Sequence, residues 1–253
     1  LFLISLVVSL NHQYILADII DDADQLAAQG QLLKALPLFI QAGNNKKISK
    51  PDRGYALASA ANCYINMKEF ALAGEFFQQA GAIECKTEYY FNAGMAYATI
   101  GLQEDTFNSY NKCISCGGKS SQPCLTKLAS IYQQNDDFGM SQEVLHQAIQ
   151  LAPQQYDGYM YLGDVYNNRK FFKEALGVYS TAVSVLLPSL HDVSQKQPNS
   201  PSHLRVVVVM TGLLNSIGDV HVNMKHTRSA YDSYTQALSL CDGLLSTTST
   251  TRN

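Results

Sequence analysis

The chain has 253 residues, of which 46% are hydrophobic and 15% are charged. This is the composition of a globular protein with a sizeable core, and it argues against general disorder. The formal net charge of −3 supplies no basic field that could hold a phosphate backbone, so we expect no nucleic-acid partner.

Residues 1–17 form a largely apolar segment. Its first ten residues have the length of the apolar region of a signal peptide and are too short to cross a bilayer alone. Ala17 is small enough to precede a cleavage site. A signal-peptide remnant would place the protein in the secretory pathway or ER lumen. Two alternatives stay open: a buried first helix, in a cytoplasmic protein, and the end of a membrane span that begins upstream. We expect a membrane partner only if this segment is an uncleaved anchor.

Residues 18–53 predict a divergent or capping pair of helices. Pro37 falls inside the second helix of this pair, where it removes a hydrogen bond unless it lies in the first turn. The small and apolar residues at helical spacing are Ala23 and Leu26 for the first helix, and Ala35, Phe39 and Ala42 for the second.

From residue 54 onward, small residues recur at intervals of 33, 35, 34 and 55 residues, at Ala61, Gly94, Ala129, Gly163 and Gly218. A ring follows three residues after each, at Tyr64, Tyr97, Tyr132, Tyr166 and His221. A large apolar or aromatic residue follows sixteen after each, at Phe77, Tyr110, Leu145, Tyr179 and Tyr234. These spacings predict repeats of two amphipathic helices in which the tyrosines are structural.

The pattern resembles the tetratricopeptide repeat. The resemblance implies an all-α fold, a right-handed superhelical solenoid of antiparallel helix pairs. Pro153 and Pro188 match the proline that ends a repeat in the family, because proline cannot continue a helix. On this register the five repeats are residues 54–87, 87–120, 122–155, 156–189 and 211–244.

The long fourth interval predicts an insertion or loop at 190–210, with lengthened helices on either side of a loop near 193–202. Val206–Val209 have the local character of a strand. β-Branched residues are tolerated in buried helices, however, so we favour an early start of the next helix. Residues 245–253 are low in complexity and predict a linker-like tail.

The resemblance also implies a concave groove that binds a peptide or a helical segment of a partner. Many of the side chains that would line it are amides, which both donate to and accept from a peptide backbone, so an extended segment of low charge is expected. A helix would instead be anchored by Phe91, Met95 and Met160. The groove candidates are Tyr55, Asn62, Asn66, Phe91, Met95, Gln133, Gln134, Met160, Asp164, Asn167, Asn168, Asn215, Asp219 and Asn223.

Some members of the family clamp a carboxylate with a Lys and an Asn in one repeat. In the first repeat of this chain Asn62 holds the Asn place, but Ala58 stands at the Lys place. A carboxylate clamp is therefore not expected. Asp157, Asp164 and Asp219 favour partners of some basic character in the later repeats.

Cys113-Ile-Ser-Cys116 is a C-x-x-C sequence. A thioredoxin-like redox pair needs a strand–helix setting that this chain lacks, and a structural zinc site needs four ligands. We expect Cys113 in the core. Cys116 and Cys124 flank a short turn between repeats and predict a disulfide in an oxidising compartment. Cys63, Cys85 and Cys241 have no evident partner.

The sequence predicts no catalytic site, metal site or cofactor, and no small-molecule substrate. We therefore expect a scaffold or adaptor for a protein or peptide partner, without enzymatic activity. Alternatively, the repeats are the non-catalytic region of a larger enzyme or co-chaperone, with a catalytic or J-type domain outside this chain. A narrower resemblance, of residues 60–64 and 71–74 to the vesicle-fusion adaptor family, covers about one repeat.

Overall fold

The structure is a computed structural model that describes residues 19–197 and 200–250, with side chains as far as residue 242. The segment 1–17, predicted as a signal remnant or helix, lies outside the described residues. All regular structure in the described ranges is helical, with a 3₁₀ turn at Lys119–Ser121. We number the α-helices as follows: α1 (19–28), α2 (Leu32–Asn44), α3 (Lys50–Asn66), α4 (Phe70–Ile83), α5 (Thr87–Thr99), α6 (Gln103–Ser115), α7 (Gln122–Gln134), α8 (Phe138–Leu151), α9 (Tyr156–Asn168), α10 (Phe172–Lys196), α11 (Pro201–Asn223) and α12 (Thr227–Thr250).

The helices form two compact units, which divide between Cys124 and Leu125. In the first unit, each helix from α2 to α6 packs against the next one along the chain. In the second unit, the helices from α8 to α12 do the same. The predicted all-α fold of consecutive helix pairs is confirmed.

The same type of turn connects the two helices of every pair. One residue adopts a left-handed backbone with φ between 59° and 75°. The next N–H donates to the carbonyl of the residue five before it, as Glu69 does to Tyr64 at 2.9 Å, which is the Schellman hydrogen bond that ends many helices. The ring position of every repeat therefore also terminates its first helix. The left-handed residues are Gly30, Lys68, Gly101, Asp136, Lys170 and Lys225.

Gly30 adopts the left-handed conformation, so the same turn connects the helices of the leading pair α1–α2 and those of the five repeats. Pro37 lies inside α2, beyond its first turn. The α2 residues predicted for one face are all buried, at Ala35, Phe39 and Ala42. They form a core cluster with Ala56 and other small residues of α3, and this apolar burial offsets the hydrogen bond lost at the proline.

At the small position of each repeat, the size of the facing side chain determines whether glycine or alanine is present. A Cβ built on Gly94 would lie 2.5 Å from a ring carbon of Tyr110, and Gly163 and Gly218 meet Tyr179 and Tyr234 at the same distance. Tyr110 and Tyr179 are almost wholly buried, so these rings cannot swing into solvent. The two repeats that carry alanine at this position carry a smaller partner without a hydroxyl group, Phe77 opposite Ala61 and Leu145 opposite Ala129.

The predicted insertion at 190–210 is almost entirely helical. Pro188 was expected to end the fourth repeat, but it lies inside α10, which continues to Lys196. The next helix begins at Pro201, so the connection is shorter than the loop predicted near 193–202. Ser200 caps α11 by accepting a hydrogen bond from the N–H of His203 at 3.1 Å.

Apolar packing explains why these two helices are extended. Leu190 of α10 and Val206 and Val209 of α11 pack against a core cluster that contains Leu186 and Met210. Full burial of a large apolar side chain contributes about 1.5–3 kcal/mol, and the partial burial of these three side chains together can offset the hydrogen bond that proline removes. Val206–Val209 are helical, as the sequence favoured over a strand.

Two further expectations concern the C-terminal helices. The low-complexity tail predicted at 245–253 is helical as far as Thr250, because α12 continues to that residue. Among the described helices, α11 alone has the length and mean hydropathy, 1.3, of a membrane span. Met210, Leu213 and Leu214 of α11 are buried in the core cluster with α10, whereas Leu204, Val208 and Val222 are exposed.

Two disulfides involve the second repeat. Cys85 bonds to Cys116 and Cys113 bonds to Cys124, so the predicted Cys116–Cys124 bond is wrong. Cys85 precedes α5 and Cys116 follows α6, so their bond closes the open end of this helix pair. Prediction from the linear sequence failed because helix pairing brings Cys85 to Cys116 across 31 residues.

The two bonds differ in exposure. Cys113 is buried, as expected, but is bonded to the equally buried Cys124. Cys85 is exposed and Cys116 is partly exposed. The first bond is therefore in the core and the second is accessible to solvent.

Candidate functional site

A cavity of about 310 Å³ opens within the first unit, between α3, α4 and α5. Its α5 wall consists of side chains on one helical face, at spacings of three and four residues. Phe77 of α4, only 2% exposed, belongs to both the lining and the protein core. The lining residues are Asn62, Ile65, Phe70, Phe77, Asn92, Met95, Ala96 and Thr99.

The cavity combines apolar surface with uncharged hydrogen-bonding groups. Asn62 is exposed and Asn92 is partly buried, so both amides are available to a ligand at the opening. Thr99 uses its hydroxyl to donate to the carbonyl of Met95 at 2.9 Å, which leaves the hydroxyl oxygen free to accept a hydrogen bond. None of the eight lining side chains carries a charge. The site is suited to an apolar side chain with a polar, uncharged backbone beside it.

Two of the five candidates in the first unit line this cavity, namely Asn62 and Met95. Asn66 is exposed on α3 and is not among the lining residues. Phe91 is partly buried, with its ring centroid 6.1 Å from that of Tyr110. Tyr55 donates its hydroxyl to Asp24 of α1 at 3.0 Å, which ties the first repeat to the leading helix pair.

In the second unit, two candidate carboxylates are engaged within their own repeats. Asp164 accepts a hydrogen bond from the Tyr179 hydroxyl at 2.6 Å, and Asp219 accepts one from Tyr234 at 2.5 Å. Met160 packs against the core cluster of α10 and α11. These side chains therefore have structural contacts in addition to any role in a groove.

The remaining candidates of the second unit differ in exposure. Gln133 and Asn167 are partly buried, and the side-chain oxygen of Asn167 is buried without a hydrogen-bond partner in the described part of the chain. The exposed candidates are Gln134, Asn168, Asn215 and Asn223.

Burial raises the pKa of Asp164, and the hydrogen bond from Tyr179 offsets this only in part. A carboxyl whose pKa is raised by folding binds its proton more tightly in the folded state. The contribution of Asp164 to the free energy of unfolding is therefore largest at acidic pH and falls as the pH rises through the pKa of this carboxyl in the folded state.

We expect Asp164→Asn to increase thermal stability at neutral pH, because the amide oxygen can still accept from Tyr179 without carrying a buried charge. The change should be smaller at acidic pH, where the wild-type carboxyl is protonated. Thermal melts of both proteins at the two pH values test this. Asp232→Asn, on the exposed surface of α12, is the control; an equal change in both variants would contradict the assignment to Asp164.

A family model described as tetratricopeptide repeat matches residues 123–155. This range coincides with the predicted third repeat, and the same helix pair, turn and small position recur in the other four. The chain has the tetratricopeptide-repeat fold. The match covers α7 and α8.

Several solved structures share the fold of this chain. A crystal structure of MamA is 19% identical, with a TM-score of 0.54, over 72% of this chain and 95% of that one. BtubC (BKLC) from P. vanneervenii is 13% identical, with a TM-score of 0.64, over 93% of this chain and 92% of that one. At such identities the likeness shows the fold alone.

A third structure is YrrB, described as a TPR protein with an unusual peptide-binding site. It is 14% identical, with a TM-score of 0.50, over 80% of this chain and 91% of that one. No curated protein sequence matches the chain. The peptide-binding site is a property stated of YrrB.

Several lining residues of the cavity were missed from the sequence. Asn92 and Ala96 lie on the same face of α5 as Met95 and Thr99. The spacing of 92, 95, 96 and 99 is a helical-face signal, but of these four positions the groove candidates include only Met95. Asn92 lies three residues before Met95 and therefore shares its helical face, which is the sequence signal for this residue.

Proposed function

We propose that this tetratricopeptide-repeat protein is an interaction scaffold that binds an extended peptide segment of a partner protein in the cavity between α3, α4 and α5. The proposal rests on the uncharged lining of that cavity, where amides lie beside apolar side chains. A volume of about 310 Å³ accommodates a large apolar side chain. The scaffold is assigned no catalytic role.

The chemistry of the lining favours particular peptides. Asn62 and Asn92 can each donate to a backbone carbonyl and accept from a backbone N–H. Phe70, Met95 and Ile65 offer apolar contact to one inserted side chain. The partner segment is therefore expected to be extended, with an apolar anchor and no required charge at that anchor.

We expect Asn62→Ala and Asn92→Ala each to weaken binding about two- to tenfold, because one hydrogen bond to the peptide contributes about 0.5–1.5 kcal/mol. Peptides selected from a random displayed library by the wild-type protein would be titrated against each variant by calorimetry. Met95→Glu should weaken binding further, by placing a charge in an uncharged site.

Asn66→Ala is the matched control for these variants. Asn66 lies on the same helix as Asn62, is exposed, and does not line the cavity. Its replacement should leave the affinity unchanged. Equal losses in the Asn62 and Asn66 variants, or no loss in any of them, would place the peptide elsewhere.

We also infer that the scaffold functions in an oxidising compartment. Disulfides persist in secreted and lumenal proteins and are rare in the cytosol. The bonds Cys85–Cys116 and Cys113–Cys124 support the secretory interpretation of residues 1–17 over the cytoplasmic one. Fractionation of the full-length protein tests this inference, and a cytosolic product would oppose it.

A further inference from the structure

The outer surface of α12 carries a stripe of exposed side chains, which we call the α12 stripe. Tyr231 is 69% exposed and Leu238 is 61% exposed. The members are separated by alternating steps of three and four residues, which places them on one helical face. They are Arg228, Tyr231, Thr235, Leu238 and Asp242, and all five are exposed.

Tyr231 and Leu238 are the two apolar members of the stripe. The side chains at the equivalent positions of the preceding repeat are packed against the protein core. Leu176 and Val183 hold the equivalent places on α10, 55 residues before Tyr231 and Leu238. Both pack against the core cluster that includes Met210 of α11. The α12 stripe thus has the composition of a packing face, yet no described helix covers it.

We propose that a second copy of this chain covers the α12 stripe, with the two α12 helices packed antiparallel about a two-fold axis at Thr235. The stripe is self-complementary about that residue. Tyr231 is four residues before Thr235 and Leu238 is three after it, so each tyrosine meets the leucine of the other copy.

Charge fixes the direction of the pairing. Arg228 lies seven residues before Thr235 and Asp242 lies seven after it, so the antiparallel arrangement puts each arginine opposite an aspartate of the other copy. A parallel pair would instead oppose like charges, which is unfavourable. Neither side chain has an ion-pair partner among the residues that the structure describes.

This inference is independent of the proposed peptide site, because the α12 stripe shares no residue with the cavity lining. The interface is small, since each copy contributes only one face of one helix. We therefore expect a dimer that dissociates on dilution rather than an obligate one.

Sedimentation velocity of the full chain over a wide concentration range tests the dimer. The wild type should shift from monomer to dimer as concentration rises. Arg228→Asp and Asp242→Arg should each weaken the dimer at least about tenfold, because each creates two like-charge contacts. The double variant Arg228→Asp/Asp242→Arg should restore the wild-type constant, since it exchanges the charges and keeps the pairs.

Gln236→Arg, exposed on α12 and turned away from the stripe, is the control for a change of charge and should leave the dimer intact. If the wild type stays monomeric at every concentration, the proposal is overturned and a different helix covers the stripe. A dimer insensitive to Leu238→Asp, or a double variant as weak as the single ones, overturns it equally. Circular dichroism of each variant checks that the helices are retained.

Discussion

Replacing both Cys85 and Cys116 with serine is expected to lower the free energy of unfolding by about 3–4 kcal/mol, from the loop-closure entropy of a 31-residue separation. The bond joins Cys85, just before α5, to Cys116, just after α6, so it restricts the unfolded chain across the whole second repeat. Serine suits both positions because neither side chain is in the core. Urea denaturation, monitored by circular dichroism, measures the loss.

Cys241→Ser is the control for the loss of a sulfur atom without the loss of a bond, because Cys241 is free. It should leave the denaturation midpoint nearly unchanged. Mild reduction of the wild type should reproduce the Cys85→Ser/Cys116→Ser midpoint before the buried Cys113–Cys124 bond is reduced. Equal midpoints for the double variant and the oxidised wild type would contradict the bond.

The second large effect is expected at Gly94, where alanine should destabilise the protein by up to about 2 kcal/mol. Its Cβ would lie 2.5 Å from the ring of Tyr110, which is 2% exposed and cannot move aside. Overpacking of this kind costs about 1–3 kcal/mol, more than the roughly 1 kcal/mol that alanine gains over glycine in a helix. The midpoint of urea denaturation measures the difference.

Gly177→Ala is the matched control within α10. A Cβ at Gly177 meets no atom within 4 Å, so the helix-propensity gain should appear alone and raise stability by about 0.5–1 kcal/mol. The double variant Gly94→Ala/Tyr110→Leu imitates the Ala129–Leu145 pair and should lose less than the two single variants added together. Stabilisation by Gly94→Ala would refute the packing account.

The repeated helix pairs could be predicted because their signal is redundant. Ala61, Gly94, Ala129, Gly163 and Gly218 share a register with rings on one side and large apolar residues on the other. The left-handed turn was invisible because four of the five repeats use lysine or aspartate there, and only Gly101 supplies the expected glycine. Hydrogen bonds to the preceding helix hold those residues in a conformation that costs them roughly 1 kcal/mol.

The region around residue 190 was misread because local signals conflicted. Pro188 suggested a helix end, but packing of the extended helix outweighs the lost hydrogen bond. Ser200-Pro201 was included in a loop, although a serine followed by proline is also a signal for the start of a helix. The structure uses it as such, with Ser200 capping α11.

The cavity could be predicted only in part, because it depends on three helices at once. Asn62 and Met95 could be predicted from the repeat register, whereas Phe70 and Phe77 belong to the second helix of the first repeat. The disulfide pairing failed for the same reason. Both features are set by which helices pack together, and spacing along one helix does not contain that information.

The most direct test of the peptide site is hydrogen exchange of the protein with and without a library-selected peptide. Our account predicts slower amide exchange in residues 62–70 and 92–99 when the peptide is bound, with α9 unchanged. Slower exchange in α9, around Asp157 and Asp164, with 62–70 and 92–99 unchanged, would contradict the cavity between α3, α4 and α5 as the binding site.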